Sequence, residues 1–214
     1  MWRLLILASL IPFIIGGVFA NIFGLRILLN EQKVSASVRE ILKKLSCDLG
    51  RKDVIITFSG KRGAIHPQKK TLQLPAHYEE SQLASHHARA IVNLGLILLH
   101  ENHSGPIGWR LKMLKLGHTA PLFIILIISF SCLLGKLPLI IGICLLAFSL
   151  GLSTVMLWLS MSVEKEAAHL MVSRIEKSRP LPRLTEEEAL VSSVQAVPWA
   201  RLIPGTFLKL VLKD

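Results

Sequence analysis

Two long apolar runs constrain this chain more than any other feature of its sequence. Leu4 to Leu29 is apolar apart from Ser9, Asn21 and Arg26, and Ala120 to Met161 carries no charge outside "GKLP", Gly135–Pro138. Roughly 20 apolar residues cross the hydrocarbon core of a bilayer as a helix. The second run therefore holds two spans joined by a tight turn, with Lys136 among headgroups and Pro138 ending a helix. The reading is three transmembrane helices, at 4–29, 119–135 and 139–161. A hydrophobic share of 51% and a mean hydropathy of +0.53 fit a membrane protein better than a soluble domain. A cleaved signal peptide competes for the first run, with Arg3 before it and a cut after Ala20. The apolar run continues past that cut through "NIFGLRILLN", which favours a retained anchor.

Charge orients the spans. Arg26, Lys33, Arg39, Lys43 and Lys44 flank the first, Arg110, Lys112 and Lys115 the second, and Lys165, Arg174 and Lys177 the third. Basic residues close to spans stay on the cytoplasmic side. The N-terminus and the "GKLP" turn are thus expected outside, with 30–117 and the C-terminal part inside, in a multi-pass protein of the cell inner membrane. The formal charge of +11 is a matter of topology and anionic headgroups rather than of nucleic acid. Base-stacking surfaces interleave aromatic and basic residues, and Tyr78 is the sole tyrosine. Cys47, Cys132 and Cys144 form no CxxC pair, so neither a thiolate metal site nor a disulfide framework is indicated.

Residues 30–117 are long enough for one small domain. "SASVREILKKL" places Val38, Ile41, Leu42 and Leu45 at helical intervals behind a cap at Ser35 or Ser37. "DVIITF" reads as a strand, "SGKRG" and "HPQKK" as turns, and "TLQLP" as a second strand stopped by Pro75. A long helix follows, with Leu83, Ile91, Leu94 and Leu98 near one face and Gly95 its weak point. Residues 163–197 read as two more helices. "MSVEKEAAHLMVSRIEK" has the stripe Ala167, Leu170, Met171 and Ile175, and "TEEEALVSSV" has Thr185 as N-cap with Glu188 in the capping-box position. The end, 198–214, is apolar but broken by Pro198 and Pro204, which suggests a segment lying on the membrane surface.

The helix "SQLASHHARAIVNLGLILLH" raises the question of a metal. A hydrolytic zinc helix places two histidines four apart, with a glutamate after the first, so that both imidazoles reach one ion and the carboxylate polarises its water. Here His86 takes the first position, His87 stands where the glutamate would be, and Ala90 where the second histidine would be. His86 and His87 diverge by about 100° around the helix. The "HENH" pair, His100 and His103, lies about four turns further on and cannot share an ion with His86 along a straight helix.

The order of elements nevertheless resembles the neutral zinc metallopeptidases, small bacterial membrane proteins. "IHPQKKTLQLPAHYEESQLASHHARAIV" is similar to that family's proline turn, basic strand and HExGH-type zinc helix. "GPIGWRLKML" is similar to its approach to the second span, and "SVEKEAAHLMVSRIEK" to its acidic post-span helix. The resemblance runs from about Leu4 to Val197. It implies an α+β membrane protein, mainly helical, with a small cytoplasmic zincin-like domain containing a short strand pair. It also implies His86 and Glu164 as metal ligands, with Glu166 a weaker choice for the latter. His87 stands in the catalytic glutamate's place, Arg89 in a glycine's and Ala90 in the second histidine's. The residues thus remove the base and one ligand, so the expectation is a catalytically inactive family member without cofactor, acting as a membrane binding or structural partner. The alternative is a Zn2+-dependent peptidase with a rearranged site. Two further expectations follow: that Arg89 pairs with Glu164 or Glu166 in place of the ion, and that the Thr71–Pro75 strand offers an edge to a peptide partner.

Overall fold

A computed structural model describes residues 2–30, 32–50, 53–60, 63–102 and 104–202. Its first rod is α1, Trp2–Ala20, continued by a π-helical turn, Asn21–Leu25, and by α2, Arg26–Leu28. The π turn coincides with a close approach: a Cβ on Gly24 would lie 2.8 Å from Ala200 Cα and 3.0 Å from the Trp199 carbonyl carbon. Single widened turns of this kind let a helix adjust where another backbone presses on it.

Helix α3, Val38–Asp48, is capped by Ser37, one of the two expected candidates. The Ser37 hydroxyl accepts from the Glu40 amide and the Glu40 carboxylate accepts from the Ser37 amide, a full capping box. Its face of Val38, Ile41, Leu42 and Leu45 is buried. The expected strand pair is a three-stranded sheet. The strands are β1, Ile55–Phe58, β2, Ala64–His66, and β3, Thr71–Leu74, in the order β1-β3-β2. β1 runs parallel to β3, and β2 antiparallel to it. Ala64–His66 was too short and too mixed to read as a strand from its own residues; pairing with β3 holds it. Thr71–Pro75, expected to present an edge, contributes the central strand instead, with a neighbour on each side. The "HPQKK" turn closes through a short 3-10 turn, Pro67–Lys69, and a left-handed Lys70 at φ 49. The Lys70 ammonium bonds Asp53 and lies 2.8 Å from Glu101, which ties the turn to the long helix behind it.

That helix is α4, Ala84–Asn102, and it is the axis of the domain. Ala88, Ala90, Ile91, Val92, Leu94, Leu96 and Ile97 are buried around its whole circumference, not along a single face. A helix apolar on all sides belongs in the middle of its neighbours. Gly95 is less a weak point than a crossing point, because a Cβ there would stand 2.7 Å from Met171 Cγ and 2.8 Å from the Ala167 carbonyl oxygen.

The remaining helices are α5, Ser104–Leu133, α6, Leu139–Ser178, and α7, Leu184–Ala200. α6 runs unbroken through the span expected at 139–161 and on into the domain, so the apolar run and the polar stripe share one rod. Its stripe of Ala167, Met171 and Ile175 is buried, joined by Val163, Ala168 and Val172. α7 starts two residues earlier than expected. Arg183 occupies the cap position in an extended conformation, so Thr185 and Glu188 lie inside the helix and cap nothing. Glu186 instead accepts from the Ser35 amide at 3.0 Å and from its hydroxyl at 2.7 Å, joining α7 to the loop before α3. Pro198 falls within α7 instead of breaking a surface segment, and 203–214 lie outside the described residues.

Among the described residues three helices are long and apolar enough to cross a membrane: Ala8–Leu28, Gly105–Leu133 and Leu139–Ser178. Their outer faces carry Ile14, Val18, Phe123, Leu126, Phe130, Leu139 and Leu159 in the open. Where they meet each other they use small residues. A Cβ on Gly151 of α6 would collide with the backbone of Ser9 in α1, the kind of close approach favoured between helices in an apolar solvent.

Candidate functional site

The charged centre of the molecule forms where four helices converge, at the end of the apolar rods that meets the α3–α4 domain. α6 delivers Glu164, α5 delivers Arg110, the C-cap of α7 is Arg201, and α4 offers Asn93. Glu164 and Arg110 are each 2% exposed at the side chain. Glu164 Oε1 accepts from Arg110 Nε at 2.9 Å and from its terminal Nη2 at 2.5 Å. Glu164 Oε2 lies 3.1 Å from Arg201 Nη1, and Arg201 Nη2 donates to Asn93 Oδ1 at 2.8 Å. Both carboxylate oxygens thus face guanidinium groups, and the cluster carries one formal positive charge in excess. Desolvating such a set is costly unless every charge has a close partner, and the planar forks of arginine supply those partners.

Glu164 is therefore buried and central, at the position expected for the acidic ligand, but its counter-charges are arginines. Glu166 is exposed on another face of α6. The expected pairing of Arg89 with Glu164 or Glu166 is corrected by the geometry: Arg89 donates to the Tyr78 hydroxyl at 3.0 Å. Arg110 and Arg201 fill the role that sequence reasoning gave to Arg89. The signal for Arg110 was present in "GWRLKML", since a cation one helical turn inside an apolar approach calls for a buried partner. Arg201 follows Pro198 in a segment that looked interfacial, so nothing local placed it beside Glu164.

The other expected ligand, His86, sits in the first turn of α4. Its Nδ1 is 2.7 Å from the Ser81 hydroxyl, and its ring stacks on Tyr78 at 4.2 Å between centroids and 11° between planes. His77 packs edge-on at 5.6 Å. Asn93, which belongs to the Glu164 cluster, is seven residues further along α4, about 10 Å at the helical rise. His86 and Glu164 thus engage α4 about two turns apart. His87 is fully buried. Its Nδ1 is 2.8 Å from the Leu83 carbonyl and its Nε2 3.1 Å from that of Ala36. A neutral imidazole has one N–H to donate, and burial holds the His87 pKa below its ordinary value, against the opposing pull of those carbonyls. Ala90, in the second histidine's place, is wholly buried in the α4 core.

These residues do not fit zinc. A catalytic ion takes three protein donors around one point. Here one candidate is stacked and hydrogen-bonded, one is surrounded by guanidiniums and one is a methyl group. Among the described residues no group of three or more histidine, cysteine or carboxylate side chains converges.

No family model matches the chain, and no curated protein or solved structure matches it either.

Proposed function

We propose that this chain is a three-span protein of the bacterial inner membrane that binds or braces a partner and does not hydrolyse one. In this reading it shares the plan of the neutral zinc metallopeptidases, with the N-terminus and the Gly135–Pro138 turn outside and the α3–α4 domain in the cytoplasm. One observation carries it: Glu164, the residue matched to the acidic ligand, is held on both oxygens by Arg110 and Arg201. A guanidinium satisfies a carboxylate but neither accepts a water as ligand nor acidifies one, which is the work a hydrolytic metal performs. His86 and His87 support the same reading, since Nδ1 of His86 and both ring nitrogens of His87 are engaged within the domain. A zinc-dependent peptidase on this chain would require both clusters to open and a third donor to enter. A peptide partner adding by strand pairing would take β1 or β2, the two outer strands, because β3 is enclosed.

The test uses the full chain purified in detergent. The expected result is far less than about one zinc per chain and no hydrolysis of a casein-type substrate that a chelator suppresses. Stoichiometric zinc together with chelator-sensitive hydrolysis overturns the proposal. Orientation is read separately from Cys47, which is exposed on the domain. A membrane-impermeant maleimide should label it in opened but not in intact cells.

A further inference from the structure

Just beyond the apolar part of α6, a groove of about 390 Å³ opens between α6 and α7. Two pairs of side chains four residues apart face each other across it. Lys165 and His169 come from α6, and Gln195 and Trp199 from α7, with Ala168 and Pro198 as apolar floor. Residues at this spacing stack on one helix face, so the groove has a donor-bearing wall on each side. The Lys165 ammonium lies 3.9 Å above the Trp199 ring. Among the described residues no carboxylate pairs with it. A cation held by an aromatic face is positioned without being neutralised, and its N–H groups stay available to an anion. Glu164, next to Lys165 in sequence, cannot compensate it, because its own charge is committed to two arginines.

The second wall continues into an aromatic cluster. Trp199 packs on Phe19 at 6.0 Å and on Phe23 at 5.2 Å, and Phe19 meets Trp158 edge-on at 5.8 Å. Beside this cluster Val18, Phe23, Trp158 and Leu159 leave 43–59% of their surface open. Amphipathic aromatic rings of this kind gather at headgroup depth. An uncompensated cation, the N–H donors of His169 and Gln195 and an adjoining open apolar face together match a molecule with a phosphate at one end and hydrocarbon at the other.

We propose that the α6–α7 groove is a headgroup site for an anionic phospholipid, its phosphate between Lys165 and His169 and its acyl chains on the Phe19–Trp158 side. The site rests on the reading that these apolar helices span a bilayer, and the two fail differently. Full chain in detergent is titrated with phosphatidylglycerol, phosphatidylcholine and inorganic phosphate and observed by native mass spectrometry. Phosphatidylglycerol adducts should exceed phosphatidylcholine adducts by about fivefold, the effect of one cation beside an anionic headgroup. Lys165→Gln with His169→Gln should bring the ratio to about one while lowering the melting temperature by no more than about 4 °C, since both side chains are exposed and only the Lys165–Trp199 contact is lost. Lys43→Gln, which removes an exposed charge from α3, should leave the ratio unchanged. Equal loss in the Lys43 variant reduces the selectivity to bulk charge and overturns the proposal. So does displacement of the lipid by millimolar inorganic phosphate, which points to a soluble phosphate ligand. Absence of selectivity in a chain that resists carbonate extraction from membranes sinks the lipid site alone. Extraction by carbonate sinks the spanning reading and the site with it.

Discussion

The arginine cluster can be weighed through Glu164→Gln. The substitution keeps the side-chain volume and one acceptor toward Arg110, but removes the negative charge that sits between two guanidiniums. It also places an amide N–H₂ or a neutral oxygen where Glu164 Oε2 now stands 3.1 Å from Arg201. Removing one partner of a buried ion pair costs about 3–5 kcal/mol. The side chain of Arg201 is 22% exposed, so water offsets part of its loss and the lower end, about 3 kcal/mol, applies. For a chain of 214 residues each kcal/mol moves the melting temperature by roughly 2–4 °C, giving a drop of roughly 6–12 °C. The assay is thermal unfolding of full chain in detergent, followed by far-ultraviolet circular dichroism, with and without chelator. The drop should be the same in both. Arg110→Met combined with Glu164→Met removes an equal and opposite pair, leaves Arg201 on Asn93, and should recover to within about 2 kcal/mol of the wild type. A Gln variant that melts within about 2 °C of the wild type, or a double variant as damaged as the two single losses added, refutes the account of Glu164 as the anion of this cluster.

Two further outcomes are expected. Gly95→Ala should destabilise although alanine is the better helix former by about 1 kcal/mol, because its methyl meets Met171 and the Ala167 carbonyl at under 3 Å; a raised melting temperature would show that α4 and α6 are not in close contact there. His87 should make stability fall in mild acid. Its folded pKa lies below 6.5 through burial, so the unfolded chain takes up a proton that the folded chain refuses. That contribution is complete above about pH 7 and declines as pH drops through 6.5 toward the folded value. Urea or thermal titrations against pH should show this slope in the wild type and a shallower one in His87→Gln, and identical slopes would remove His87 from the account.

What the sequence made legible was whatever short-range chemistry decides. The start of α3 was legible to within two residues, as a cap at Ser35 or Ser37, and the apolar runs announce their length directly. The stripe of α6 follows from helical spacing alone. Pairings that depend on distant segments were not legible. Ala64–His66 becomes a strand only because β3 lies beside it, which also turns Thr71–Leu74 from an edge into a centre. The Thr185 cap failed for a related reason: Glu186 is drawn to Ser35, far away in sequence, and the helix begins early enough to deliver it. At the charged centre the histidine helix drew attention because motif spacing is local. The partners of Glu164 come from the start of α5 and the end of α7, so no window of sequence contains them.

This bears on what the cluster is for. A divalent ion bound between α4 and α6 would cross-link two helices by direct coordination. The arginines perform the same mechanical task by another route, since Arg201 grips Asn93 on α4 and Glu164 on α6 at once, while Arg110 ties α5 into the same point. Two guanidiniums bring the same total positive charge as such an ion, so the electrostatic demand of a buried Glu164 is met in full. They differ from it in having no empty coordination position and no tendency to give up a proton near neutral pH. The arrangement thus ties α4, α5, α6 and the end of α7 together at one point by charge pairing.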